Sequence, residues 1–156
     1  MVDEYLQKHK RCCESGNNRK SSFSWRPKEG EEYTIRLLSF PDNEGQPFKE
    51  LWFYYNIGNN PGLLAPYQFG SADPIQELIT KLRDDGSKES YELAKKLYPK
   101  MRCYAPIIVR GEEDKGVQVW GFGKTVYQTL LNIMLDEDYG DITDLETGRD
   151  IKVSCA

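Results

Sequence analysis

The clearest alternation of hydrophobic and polar positions lies in residues 100–110. The odd positions are all apolar, and the even positions include Arg102, Tyr104 and Arg110. A period of two is typical of a strand with one buried face. The odd positions are therefore expected in the core, and the cations and the tyrosine are expected on the opposite face.

Three further elements follow this strand directly. Residues 111–116 form a charged turn, and residues 117–123 return as the partner strand of a hairpin. From Thr125 to Leu135 apolar residues recur at helical spacing, which predicts a helix.

Two strands are predicted before this hairpin, at 33–40 and 48–57. The second is so aromatic that both of its faces carry rings, with Phe53 and Tyr55 on one face and Trp52 and Tyr54 on the other. One set can fill a core. The other set needs a ligand, another layer of protein, or a tolerated exposure.

The pattern between and after these strands predicts helices and one last strand. Asp73 is a helix N-cap followed by Pro74, and two helices are expected within 75–98. An acidic loop at 136–150 is expected to be solvated, and residues 150–155 form a short strand. The chain ends directly after it, which suggests a fragment truncated at the C-terminus.

These elements predict a mainly β fold with inserted helices. Five mostly antiparallel strands with basic and aromatic residues on one parity fit a small, partly open barrel of the oligonucleotide-binding (OB) type. The usual OB barrel has its helix between strands three and four, whereas helices here fall between strands two and three and between four and five. We expect one domain over 25–156, preceded by a flexible basic segment at 1–24 that includes a possible short helix at 2–11.

Composition narrows the class of protein. The 156 residues include ten Tyr, six Phe and three Trp, far too many for a disordered polymer. No apolar run is long enough to span a membrane, and no apolar core of a signal peptide is present, so an intracellular protein is expected. The four cysteines show no disulfide framework, and His9 with Cys12 and Cys13 falls short of a four-ligand zinc site. We therefore expect no metal and no cofactor.

The net charge of −4 is unevenly distributed. Residues 1–30 hold seven Lys and Arg against four Asp and Glu, whereas residues 132–156 hold two against seven. Because binding to a phosphate backbone depends on a local patch, a modestly acidic total does not exclude it.

Cations and aromatic rings on one face are the chemistry that holds a nucleic-acid strand, with charge for phosphates and π-surface for bases. The candidate residues are Arg36, Trp52, Tyr54, Arg102, Tyr104, Arg110, Trp120 and Lys124. For each aromatic residue taken singly, packing in the core explains its presence as well as stacking on a base does. If Arg110 pairs with Val117 in the hairpin, Trp120 and Phe122 face the core, whereas a one-residue bulge turns both outward.

Catalytic and scaffold functions are the alternatives. Residues 123–125 read Gly-Lys-Thr between a strand and a helix, as in a nucleotide-hydrolase phosphate loop, but Gln118 replaces the glycine that this motif requires. His9 is poorly placed for a Cys-His pair, and no carboxylate lies in an apolar stretch, so we predict no enzyme. A protein-interaction scaffold using the aromatic strand stays open.

The order and spacing of four segments carry a resemblance: 33–38, 104–110, 120–124 and 138–144. They resemble the core of the single-stranded DNA-binding, helix-destabilising proteins of T-even-like phages, most closely those of cyanophages. The resemblance implies an OB fold, cooperative sequence-independent coating of single strands, and service in replication, recombination and repair in the cytoplasm of the infected bacterium. It also implies that five candidates lie in or near the DNA cleft, namely Arg36, Arg102, Tyr104, Arg110 and Lys124.

The chain departs from that family in two respects. Family members hold zinc with one His and three Cys before the third strand, whereas residues 58–99 contain neither type, so the helices at 75–98 are expected to replace the zinc module. The family's acidic tail, which recruits replication proteins, is missing from this chain. Residues 19–22, Arg-Lys-Ser-Ser, are similar to the motif by which neighbouring family subunits join along DNA, although a flexible linker explains them equally well.

Overall fold

The computed structural model describes residues 23–156. The elements are the strands β1 (Ser24–Trp25), β2 (Glu32–Leu37), β3 (Lys49–Tyr54), β4 (Leu63–Leu64), β5 (Lys100–Val109), β6 (Gln118–Phe122) and β7 (Asp150–Ser154), and the helices α1 (Pro74–Asp84), α2 (Lys88–Leu97) and α3 (Lys124–Leu135). The five predicted strands correspond to β2, β3, β5, β6 and β7, and the helices predicted within 75–98 and 125–135 are confirmed. The short helix predicted at 2–11 lies outside the described residues. The predicted basic segment at 1–24 lies almost wholly outside the described residues.

All seven strands belong to one sheet, organised around β5. One edge of β5 pairs with β3 along its first half and with β2 along its second half, and the other edge pairs with β6. The pair of β1 with β6 is parallel, and all other pairs are antiparallel. The fold is thus mixed, with one largely antiparallel sheet and three helices among the described residues.

The main core lies on the odd-numbered face of β5, as the alternation predicts. Cys103, Ala105 and Ile107 are fully buried there. The neighbouring elements complete it with Trp25, Ile35, Leu37, Phe48, Val109, Trp120, Phe122, Leu130 and Ile142. Burial raises the pKa of the Cys103 thiol to about 12, so this cysteine stays neutral and serves as a small core residue.

The loop between α3 and β7 is more firmly held than the sequence suggested. Although most of its acidic residues are exposed, Ile142 is buried in the main core and Thr143 is 5% exposed. The Asp141 carboxylate accepts hydrogen bonds from the backbone amide and the hydroxyl of Thr143. The acidic side chains of this loop are therefore exposed, as predicted, whereas Ile142 and Thr143 at its centre are buried.

The β5–β6 hairpin resolves the ambiguity about Trp120. Trp120 pairs with Ala105 and Phe122 with Cys103, a shift of two residues from the register in which Arg110 would pair with Val117. Because a shift of two keeps the parity of the strand, both rings still face the core, where each is 4% exposed. Trp120 packs edge-on against Trp25, with 5.6 Å between ring centroids.

A second, smaller core joins α1 and α2 to β3 and β4. Its buried members are Tyr54, Ala65, Ile79 and Ala94. The Tyr54 hydroxyl donates to Asp73 Oδ2 at 2.8 Å, and Asp73 Oδ1 accepts from the amides of Ile75 and Gln76 at the start of α1. One carboxylate therefore caps a helix and ties it to the aromatic strand.

Burial alone would raise the pKa of Asp73, but hydrogen bonds from Gln76, Tyr54 and Tyr67 outweigh it and hold the pKa below its ordinary value. A lowered folded-state pKa means that Asp73 stabilises the fold above the ordinary aspartate pKa. This contribution is lost as the pH falls through the folded-state value. None of the helices within residues 23–156 is both long and apolar enough to cross a membrane.

Asp73→Ala should lower the free energy of unfolding by roughly 2 to 4 kcal/mol, because it removes an N-cap and leaves the buried Tyr54 hydroxyl with only a long hydrogen bond of 3.4 Å to Gln76 Oε1. Urea denaturation measures this change. The matched control is Ser87→Ala, since Ser87 caps α2 from an exposed position and accepts only from the Ser90 amide, so its loss should cost about 1 kcal/mol. Equal losses at the two caps would contradict the linking role of Asp73.

Candidate functional site

One face of β3, β5 and β6 is turned away from the main core. Lys49 of β3 and Gly121 of β6 both pair with Tyr104, and Leu51 pairs with Arg102. Directly paired residues in an antiparallel sheet project to the same side. The side chains of these three strands therefore form one continuous surface around Arg102 and Tyr104.

Three half-buried rings form the centre of this surface. Phe53 lies 6.2 Å from Tyr55 and 6.3 Å from Tyr104 between ring centroids, and the ring planes are tilted by 36° and 58°. We call Phe53, Tyr55 and Tyr104 the aromatic face. Each of the three side chains is only half-buried, so part of it is accessible to a binding partner.

Glycine allows Tyr104 to lie close against β6. A Cβ atom at Gly121 would come within 2.8 Å of Tyr104 Cε1, which is closer than real Cβ contacts. Gly62 is placed in a similar way under Tyr55, with 3.1 Å from its ideal Cβ position to the ring. Two rings of the aromatic face thus rest on backbone that carries no side chain.

Cations surround the aromatic face. Lys49 and Lys100 are exposed, and Arg102 donates from Nη2 to the Gly121 carbonyl at 3.0 Å. We call Lys49, Lys100 and Arg102 the cationic rim. None of the three forms an ion pair with another described residue. The positions of β3 to β6 on this face, all within the described residues, hold no carboxylate.

A shallow hollow of approximately 250 Å³ extends the surface at one end. It is lined by Phe40, Asp42, Asn43 and Lys49. Because Lys49 is the strand partner of Tyr104, the hollow opens next to the aromatic face. The hollow is a concave, partly apolar region of the surface that lies beside the cationic residue Lys49.

Two of the predicted site residues, Arg102 and Tyr104, lie on this surface. The prediction for Tyr54 and Trp120 is corrected, because they are only 1% and 4% exposed and their rings are covered by the two cores. Trp52 is 36% exposed but pairs with Met101, so it projects to the opposite side of the sheet. These three aromatics do not join the aromatic face.

Arg36 and Arg110 face the same side of the sheet but lie at the far end of β5, and Asp150 engages both. Arg110 makes two hydrogen bonds to the Asp150 carboxylate, and Arg36 Nη1 lies 3.6 Å from Asp150 Oδ1. The Arg110 hydrogen bond, with the charge of both arginines, holds the pKa of Asp150 below its ordinary value. Part of their charge is therefore compensated within the protein.

Lys124 is exposed at the first position of α3. Only Gly123 separates β6 from α3, and Gln118 is buried inside β6. A phosphate loop needs a run of backbone amides between strand and helix, and this connection is too short to provide one. The geometry gives no support to a nucleotide-hydrolase function.

Sequence reasoning missed Phe53, Tyr55 and Lys49, whereas the alternation in 100–110 already places Lys100 on the same face as Arg102 and Tyr104. The alternation in 48–57 separated the two faces of this strand correctly but did not show which face was covered. The missing information was the pairing of Leu51 with Arg102, a contact between residues far apart in the chain. No local pattern contains that pairing.

Among residues 23–156 no group of three His, Cys, Asp or Glu side chains is arranged to hold a metal ion. His9, Cys12 and Cys13 lie outside the described residues. No protein-family model matches the chain, and no curated protein matches it at a significant level.

Gly121→Ala should displace the Tyr104 ring, because the added methyl group occupies the space in which the ring rests. The chemical shifts of the Tyr104 ring protons in a two-dimensional NMR spectrum measure the displacement. Gly123→Ala is the matched control, since Gly123 has φ −87° and nothing within 4 Å of an added Cβ. The prediction fails if both variants leave the Tyr104 resonances in place.

Proposed function

We propose that this chain binds single-stranded DNA without reading its sequence, and that the aromatic face and the cationic rim form the binding surface. The observation that carries the proposal is the union of three contiguous, half-buried rings with three cations, with no carboxylate at the strand positions of this face. Proteins that hold single strands combine these two elements, because every base has a π-face and every nucleotide has a phosphate. A polar rim of mixed charge would suit a polyanion poorly.

The same surface favours single strands over duplex. Base pairs stacked in a duplex do not present their faces to protein rings, so Phe53, Tyr55 and Tyr104 would contribute nothing to duplex binding. Stacking on Phe53, Tyr55 and Tyr104 uses the face that every base has, whereas sequence is read through hydrogen bonds to base edges. Sequence-independent binding follows from this chemistry.

For the fold, we propose a partly open OB-type barrel with a helical insertion. The central position of β5 in a largely antiparallel sheet supports this assignment. The helices between β4 and β5 and between β6 and β7 depart from the usual barrel, which has its helix between the third and fourth strands. The combination of aromatic and cationic side chains on one barrel face is the way in which OB domains bind oligonucleotides. The helices α1 and α2 pack on a small core of their own and lie in the range in which the sequence predicts two helices.

The biological setting that we propose rests on the resemblance to helix-destabilising proteins of T-even-like phages. In that setting the chain coats single strands during phage DNA replication, recombination and repair in the host cytoplasm, as a binding protein and not as an enzyme. Self-association along DNA and recruitment of phage replication proteins belong to the same proposal.

The direct test is fluorescence anisotropy of a labelled oligo-dT titrated with the protein at low and at moderate salt. Saturable binding that weakens with salt and resists a duplex competitor supports the proposal. Absence of binding at low salt by a folded protein overturns it and favours a protein-interaction scaffold. An oligo-rU arm measures the preference for DNA over RNA.

Tyr104→Ala should weaken binding to oligo-dT by about 1 to 3 kcal/mol, the range for one lost base–aromatic stack. Tyr91→Ala is the matched control, because Tyr91 is an exposed tyrosine on α2, outside the aromatic face. Both variants are first checked for folding by circular dichroism. Equal affinities in the two folded variants would reject the aromatic face as the binding surface.

Arg102→Ala should reduce affinity and make the salt dependence shallower. Losing one phosphate contact lowers the slope of log K against log salt by about 0.7 for a single strand. Arg83→Ala, an exposed arginine at the end of α1, removes the same charge elsewhere and should leave the slope nearly unchanged. The measurement is the anisotropy titration repeated at four or more salt concentrations.

A further inference from the structure

The outward surface of β5 continues beyond the aromatic face toward β2 and β7. Arg36 pairs with Ile108 of β5 and with Asp150 of β7, so all three project to the same side of the sheet as Tyr104. Arg110 lies one residue beyond the end of β5, on the same parity. From Tyr104 to Arg110 is six residues, or about 20 Å along a strand. A DNA phosphate bound by Arg110 would therefore be a different phosphate group from those bound by the cationic rim.

Asp150 forms a forked contact with Arg110. Arg110 Nε donates to Asp150 Oδ2 at 2.9 Å, and Arg110 Nη2 donates to Asp150 Oδ1 at 3.0 Å. This two-bond geometry is the one that a guanidinium also makes with a phosphate. The carboxylate of Asp150 thus occupies the place on Arg110 that a backbone phosphate would take.

The two arginines differ in their freedom to move. The Arg36 side chain is 15% exposed and donates to the Asp144 carbonyl, 2.6 Å from Nη2, whereas the Arg110 side chain is 45% exposed. If Arg110 leaves Asp150, the carboxylate keeps Arg36 as its partner. The exchange therefore leaves no charge without a partner, and ion pairs as exposed as this one are weak.

We propose that Arg110 is a phosphate-binding residue held in reserve by Asp150, and that it exchanges this carboxylate for a backbone phosphate when a single strand lies along β5. This inference rests on the proposed function and extends the binding path to the far end of β5. In the free protein Asp150 acts as an internal substitute for the phosphate. The affinity for single-stranded DNA is lowered by the free energy that is needed to break the contact between Arg110 and Asp150.

Asp150→Asn should raise the affinity for oligo-dT by about two- to fivefold at moderate salt, because Arg110 no longer has to leave a charged partner. Arg110→Gln should change affinity little in the wild-type background and should remove most of the gain in the Asp150→Asn background. The four proteins form a double-mutant cycle measured by fluorescence anisotropy. The proposal requires that Asp150→Asn raises the affinity more when Arg110 is present than when it is replaced by Gln.

Glu32→Gln is the matched control for a simple change of net charge. Glu32 lies on β2, four residues before Arg36 and on the same face. Its carboxylate forms an ion pair with Lys152 instead of an arginine. It removes the same charge about 13 Å along the strand, beyond the Debye length at physiological salt. Equal gains from Glu32→Gln and Asp150→Asn would overturn the proposal in favour of general electrostatics.

The outcomes separate this inference from the proposed function. If the wild type binds oligo-dT and Tyr104→Ala weakens binding, but the cycle shows no coupling, only the exchange at Arg110 is rejected. If the wild type does not bind, both are rejected. Urea denaturation of each variant reports folding, and a loss of stability without a gain in affinity would assign Asp150 a structural role alone. Should Asp150→Asn not fold, Asp150→Thr replaces it, because threonine suits strands.

Discussion

Backbone pairing along β5 is the constraint on which the rest of the structure depends. This one strand is hydrogen-bonded to β3, β6 and β2, so it fixes the relative positions of the segments that carry the core and the candidate site. Its period-2 alternation then assigns roles, with Cys103, Ala105 and Ile107 in the core and Arg102 and Tyr104 outside. The two faces of β5 therefore define the main core on one side and the candidate binding surface on the other.

That alternation explains why much of the fold was predictable from the sequence. Strand positions and parities depend on local order, and β2, β3, β5, β6 and β7 lie close to the predicted ranges. The hairpin register was less predictable, because the eight residues between β5 and β6 include a 3₁₀ turn at Glu113–Lys115. The observed register differs by two residues from the one in which Arg110 would pair with Val117, and Trp120 faces the core in both because a strand repeats every two residues.

The candidate site was predictable only in part, for a different physical reason. Arg102 and Tyr104 follow from the pattern of one strand, whereas the choice of Phe53 over Trp52 depends on which neighbour covers β3. The state of Arg110 depends on Asp150, forty residues away in the chain. Contacts of this kind are decided by tertiary pairing, and local sequence patterns carry no signal for them.

The small helical core and the aromatic face are coupled through β3. Burying Tyr54 against Ile79 and Ala94 and bonding it to Asp73 fixes the rotation of the strand around its axis. In a strand, a residue turned inward turns its two neighbours outward, so the burial of Tyr54 presents Phe53 and Tyr55. The helices α1 and α2 therefore contribute to the proposed DNA-binding surface, because the packing that stabilises them sets the direction of two of its three rings.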